Sequence, residues 1–101
     1  MRDAQRRVEE FVRENQLQGK TAFRILDLAA EIGEIAGDAA KSAGYGVKEN
    51  ELEVKEDEIG DALFSLLTVA SDLGIEAEEA LEKSLAKYKS RIEEKGDPGS
   101  K

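Results

Sequence analysis

The sequence has no cysteine, no histidine and no tryptophan, a single proline, and few aromatics: two tyrosines and three phenylalanines in 101 residues. Each absence closes a class of chemistry. Without cysteine there is no disulfide framework and no thiolate nucleophile, which suits a reducing compartment. Without histidine there is no Ser-His-Asp or Cys-His catalysis, no His-rich zinc site and no Glu-x-x-His di-iron pair. A metal site in this chain must therefore be built from oxygen ligands, which points to Mg²⁺, Mn²⁺ or Ca²⁺. No apolar run approaches the roughly 20 residues that span a bilayer, and the opening Met1-Arg-Asp-Ala-Gln-Arg-Arg7 lacks the apolar stretch of a signal peptide. The expectation is a soluble, cytoplasmic protein.

Positive charge is the other scarcity. Fifteen Lys and Arg stand against 23 Asp and Glu, a net charge of −8. A nucleic-acid polymer or an anionic membrane would repel such a chain, so neither is expected as a partner. A small anionic substrate is compatible with it if a metal ion mediates. The length leaves room for one domain, expected over residues 1–95, with a tail at 96–101 that Pro98 and two glycines keep out of helix.

The pattern along the chain is helical throughout, and the fold class expected is all-α. Asp3 is placed to cap a first helix running to about Asn15, with Val8, Phe11 and Val12 as its stripe. After a turn at Gln16–Lys20, Thr21 opens a long second helix carrying Phe23, Ile25, Leu28, Ile32, Ile35, Ala36 and Ala39, to be closed by Gly44. The polar segment Gly44–Asn50 reads as the main loop. A third helix is expected from Glu51–Glu53 to the stop at Gly74, and a fourth from Glu76, with Ala77, Leu81, Leu85, Tyr88 and Ile92 at steps of three and four. About four helices would form a bundle.

The acids are distributed unevenly on these helices. Glu31-Ile-Gly-Glu34 and Glu58-Ile-Gly-Asp61 each hold two carboxylates three residues apart, one above the other on a helix. On the second helix, Asp27, Glu31, Glu34 and Asp38 share an arc of roughly 60° between apolar or small margins. On the third, Glu58, Asp61, Ser65, Thr68 and Asp72 do the same. Like charges at these spacings each destabilise a helix by a few tenths of a kcal/mol. An ordinary solvated face mixes signs, as the first helix does with Arg6, Arg7, Glu9, Glu10 and Arg13. Two one-signed strips are what would face each other around a hard divalent cation, although acids opposite an apolar stripe are commonly no more than a solvated face.

Glu31-x-x-Glu34, a spacer and Glu58-x-x-Asp61, set in Leu26-Asp-Leu-Ala-Ala-Glu-Ile-Gly-Glu-Ile35 and Glu58-Ile-Gly-Asp-Ala-Leu-Phe-Ser-Leu-Leu67, resemble the two metal-binding helices of the all-α nucleoside triphosphate pyrophosphatase superfamily, in particular its MazG-like group. Leu73-Gly-Ile-Glu-Ala-Glu-Glu-Ala-Leu81 and Lys87-Tyr-Lys-Ser-Arg91 are similar to its last helix, so the resemblance covers roughly residues 20–95. It implies a Mg²⁺-dependent enzyme, with Mn²⁺ as the alternative ion, that cleaves a nucleoside triphosphate to a monophosphate and pyrophosphate. In that reading Glu31, Glu34, Glu58 and Asp61 are the metal ligands, and Glu34 or Glu58 is the general base. Lys87 and Arg91 grip the substrate phosphates, with Lys55 a weaker candidate, while Asp38 lies on the same ridge but outside the motif.

Phosphoribosyl-ATP pyrophosphatase and dUTPase-type activities are the alternatives within the superfamily. A non-catalytic helical interaction module is the alternative from another class. The second and third helices carry more apolar and small surface than two flanking helices can cover, and Gly33 and Gly37 would let another helix approach. A homodimer or dimer of dimers is the expectation, and the family is similar in this respect.

Overall fold

The computed structural model describes residues 1–47 and 52–99. Four helices follow in order, α1 (Arg2–Glu14), α2 (Thr21–Ser42), α3 (Glu56–Asp72) and α4 (Ala77–Lys95), and no strand occurs among the described residues. Among them, no helix is long and apolar enough to cross a membrane. The molecule is an all-α bundle.

Glycines end the helices where the sequence places them. Gly44 and Gly74 both take positive φ, +56° and +69°, which a side chain would strain. Behind Gly44, the Tyr45 N–H reaches Ala40 O at 2.6 Å; behind Gly74, the Ile75 N–H reaches Ala70 O at 2.8 Å. These bonds satisfy the last carbonyls of α2 and α3 in the Schellman manner. The start of α3 differs from expectation. Glu51 lies outside the described residues, and the helix begins at Glu56 rather than within 51–53. Residue 53 is tied elsewhere: its N–H donates to Ser42 Oγ at 2.8 Å. Lys55 is extended, with its carbonyl accepting the N–H groups of Glu58 and Ile59. A side chain at the end of α2 thus holds the incoming strand of chain out of the helix.

The central element is α3. Its partner α2 runs antiparallel to it, as shown by contacts that pair Thr21 and Arg24 with Asp72 at one end and Ser42 with Glu53 at the other. Arg24 fastens the first end, with Nε 2.8 Å from Asp72 Oδ2 and Nη2 donating to Leu17 O at 2.6 Å. On another side of α3 lies α1, also antiparallel, with Phe11 set edge-on against Phe64 at 5.9 Å between ring centroids. Leu67, on α3, is 2% exposed and is the largest fully buried side chain.

The fourth helix is held at one end. Gln5 of α1, only 6% exposed, donates from Nε2 to Ile75 O at 2.8 Å and to Ser71 Oγ at 3.1 Å. Its Oε1 accepts the first N–H of α4, from Ala77, at 2.8 Å. That N–H is one of the unpaired donors at any helix start, here capped by a side chain from 72 residues upstream. The terminal amine of Met1 and the side chain of Arg2 add ion pairs to Glu78 and Glu76. Farther along, Leu81, Leu85, Tyr88 and Ile92 of the expected stripe are all more than 40% exposed. The radius of gyration, 16.5 Å, exceeds the ~13 Å of a compact chain this size.

Replacing Gln5 with Ala would strand the Ala77 N–H and the Ile75 carbonyl together. We expect it to lower unfolding free energy by about 2–3 kcal/mol in urea titration, whereas Gln18→Ala, on the exposed turn, stays within about 0.5 kcal/mol.

Candidate metal and phosphate cleft between the second and third helices

Because α2 and α3 are antiparallel and each carries its acids on one arc, their acidic strips face each other. The space between them is a cleft of about 600 Å³ lined by Ala30, Gly33, Glu34, Gly37, Asp38, Lys41, Lys55, Asp57, Glu58 and Asp61. The two helix glycines form part of its wall. A Cβ built at Gly33 or Gly37 meets nothing within 4 Å, so no helix of this chain makes the close approach that the sequence suggested at these two positions. They leave room in the cleft.

The four motif acids do not gather at one point. Among the described residues no three acids are grouped closely enough to form a ready-made metal site. Glu34, Glu58 and Asp61 line the cleft and Glu31 does not, and the four divide into two neighbourhoods. In one, the Glu31 carboxyl is pushed above the usual carboxylate range, first by desolvation, then by the charge and hydrogen bond of Glu34, and then by Asp61 and Asp27. In the other, the Glu58 carboxyl is raised by desolvation and by Asp38, with Lys55 pulling the other way. Asp38, which the motif leaves out, is thus the acid that acts on Glu58.

Glu58 is the most telling group. Both of its carboxylate oxygens are closed off from solvent, and the groups that act on them are a second acid, Asp38, and Lys55 through its backbone and its charge. A carboxylate shielded from water beside another acid is costly, and it is chemically suited to an ion that binds through oxygen. The donor set along the cleft, all carboxylates and no nitrogen or sulfur, fits Mg²⁺ or Mn²⁺.

Within the single chain, the cations that line the cleft differ from the pair picked out in the sequence. Lys87 and Arg91 lie on α4, which has no substantial contact with α2. Lys87 Nζ sits 5.2 Å from the Tyr88 ring centroid and Arg91 Nη1 donates to Pro98 O at 3.4 Å. Neither lines the cleft. Lys55 does, and so does Lys41, which sequence reasoning passed over. The signal for Lys41 was present: seven residues after Glu34 and three after Asp38, it falls on the edge of the same ridge.

Raised carboxyl pKa values mean that the folded state holds protons more tightly than the unfolded one, so the stability tied to Glu31 and Glu58 is full at acid pH. It is lost as pH rises from about 4 through their raised values. Glu58→Gln should therefore raise the thermal midpoint of the metal-free protein at pH 7 by a few degrees and flatten its fall between pH 4 and 7. The same change should diminish the stabilisation produced by added Mg²⁺, followed by calorimetry in EDTA and in millimolar Mg²⁺.

A model of the MazG nucleotide pyrophosphohydrolase domain matches residues 20–95. Neither a curated protein nor a solved structure matches the chain. The matched stretch takes in α2, α3 and α4, with every acid of the cleft and both of its lysines, and leaves α1 outside. Proteins of this family are nucleotide pyrophosphohydrolases and generally depend on divalent metal. With more than half of its length matched, cleft included, the chain belongs to the MazG nucleotide pyrophosphohydrolase family.

Proposed function

We propose that the chain is a Mg²⁺-dependent nucleoside triphosphate pyrophosphohydrolase, converting a (d)NTP to its monophosphate and pyrophosphate. The observation that carries this reading is the Glu58 carboxylate, its oxygens shielded from solvent beside Asp38 in the acid-lined cleft of a MazG domain. Glu31, Glu34, Glu58 and Asp61 would hold the ion, with Asp38 close enough to Glu58 to share the load. Bound there, Mg²⁺ would supply charge neutralisation for the triphosphate and a lowered pKa for water.

The chain's own residues do the rest. One of Glu34 and Glu58, both of which line the cleft, accepts the proton of the attacking water. The bond between the α and β phosphates breaks, and pyrophosphate leaves. The open wall at Gly33 and Gly37 gives the substrate its space. The chain acts as a homodimer: exposed Leu66, Leu81, Leu85 and Ile92, each 46–56% accessible, form the kind of apolar surface that a second copy covers.

Incubation with a panel of canonical and modified nucleoside triphosphates and Mg²⁺ should release pyrophosphate from at least one of them; release from none would sink the reading. Glu34→Gln should lower that release by at least about a hundredfold while circular dichroism stays unchanged, and Glu82→Gln, exposed on α4, should leave it intact. In sedimentation at micromolar concentration the chain should run at twice its 11.1 kDa mass or more, and a clean monomer would remove the dimer.

A further inference from the structure

The cleft is not symmetric along its length. At the end where α2 finishes and α3 begins, a second hollow of about 230 Å³, lined by Asp38, Lys41, Ser42, Glu53, Lys55 and Glu58, adjoins the first. The two hollows share a wall of four residues, Asp38, Lys41, Lys55 and Glu58. Among the described residues, Lys41 and Lys55 are the only cations lining either hollow. Neither is tied up in an ion pair: the described pairs involve Arg2, Arg6, Arg24 and the terminal amine instead. Toward the opposite end the cleft is lined by Ala30 and Gly33; Glu31, next in the chain to Ala30, lines neither hollow and is acted on by the acids Glu34, Asp61 and Asp27. The end at the junction of α2 and α3 is thus the one that places two ammonium groups beside an acid pair, with Lys55 acting on Glu58 there.

A nucleoside triphosphate is polar in the same sense. Most of its negative charge is on the β- and γ-phosphates, which become the pyrophosphate, and its other end is a neutral nucleoside. We propose that Lys41 and Lys55 bind the β- and γ-phosphates and then the released pyrophosphate, fixing the substrate's direction in the cleft. The departing half lies toward the junction of α2 and α3, and the nucleoside lies toward Ala30. An ammonium on a flexible stem suits this task, since the phosphates change position between substrate and product and a point charge follows them without a fixed fork. Seven residues separate Glu34 from Lys41, about 10 Å along the helix, so an anion held by Lys41 spans the acids between them. Lys55 approaches the same wall from the start of α3. The assignment moves phosphate binding from Lys87 and Arg91 to residues contributed by the two helices that make the site.

This assignment rests on the pyrophosphohydrolase reading, and its test separates the two. Pyrophosphate in the presence of Mg²⁺ is titrated calorimetrically into the full chain, its Lys41→Gln and Lys55→Gln variants and the matching Lys→Arg variants, with a nucleoside monophosphate titrated in parallel. Both lysines are exposed, so the variants keep the fold. Each Gln change should weaken pyrophosphate binding about tenfold, a single charge-assisted contact, and alter monophosphate binding less than twofold; Arg should restore most of the loss. Unchanged pyrophosphate affinity in both Gln variants overturns the assignment, as does an equal loss for both ligands, which would signify a diffuse field in place of a directed contact. The nucleotide panel is run on the same preparations. Turnover with lysine-independent pyrophosphate binding removes this proposal alone. No turnover and no pyrophosphate binding by the unaltered chain removes the pyrophosphohydrolase reading and this one with it.

Discussion

The packing of α2 against α3 decides what the rest of the molecule can do, because it turns two acidic strips toward each other. Ordinary amphipathic helices pack apolar faces together and leave their charges in water. Here the contact is made beside the charges, and the Glu58 carboxylate oxygens end closed off from solvent beside Asp38. Nothing in the hydrophobic effect favours that outcome. It is held against repulsion by fastenings at both ends of the pair, Arg24 and Thr21 on Asp72 at one end and Ser42 on residue 53 at the other. The electrostatic cost is concentrated between them. A divalent cation and a polyphosphate together match that distribution of charge: the ion meets the carboxylates, and the anion meets the lysines beyond them.

The fold was legible because its signals are local and repeated. Helical periodicity, Gly44 and Gly74 as stops, and the absence of any alternating strand pattern all point one way, and the four helices follow them. Two features were not legible, for different reasons. The late start of α3 depends on a hydrogen bond between Ser42 and residue 53, a contact across the loop that no helical wheel contains. The role of Gln5 is similar: a glutamine on a charged helix looks like surface, and only the arrival of the α3–α4 turn makes it a buried cap.

Within the site, the residue types and the two strips could be read directly, since one-signed charge on a narrow arc is a property of a single helix. The pairing could not. Which acid stands beside which depends on the register between α2 and α3, and that register sets Asp38 against Glu58 while Glu31 answers to Asp61. The same register decides which cations of this chain line the cleft. Lys87 and Arg91 stand on a helix fastened to α1 and α3, whereas Lys41 and Lys55 come to the cleft because they flank the connection between its two walls.

The clamp at Gln5 makes α4 a lever. The helix has 19 residues, about 28 Å of rigid rod, and the hydrogen bond and ion pairs that tie it to α1 and the N-terminus are made at its first turn and the residue before it. A tilt of about 10° at that end displaces the far tip by about 5 Å, and the positions of Lys87 and Arg91 by about 3–4 Å. One glutamine, by fixing the angle of departure of α4, thus governs where a whole apolar stripe and two cations sit in space. Angular precision at the first turn, more than packing along the shaft, sets the outline that α4 presents to whatever docks on it.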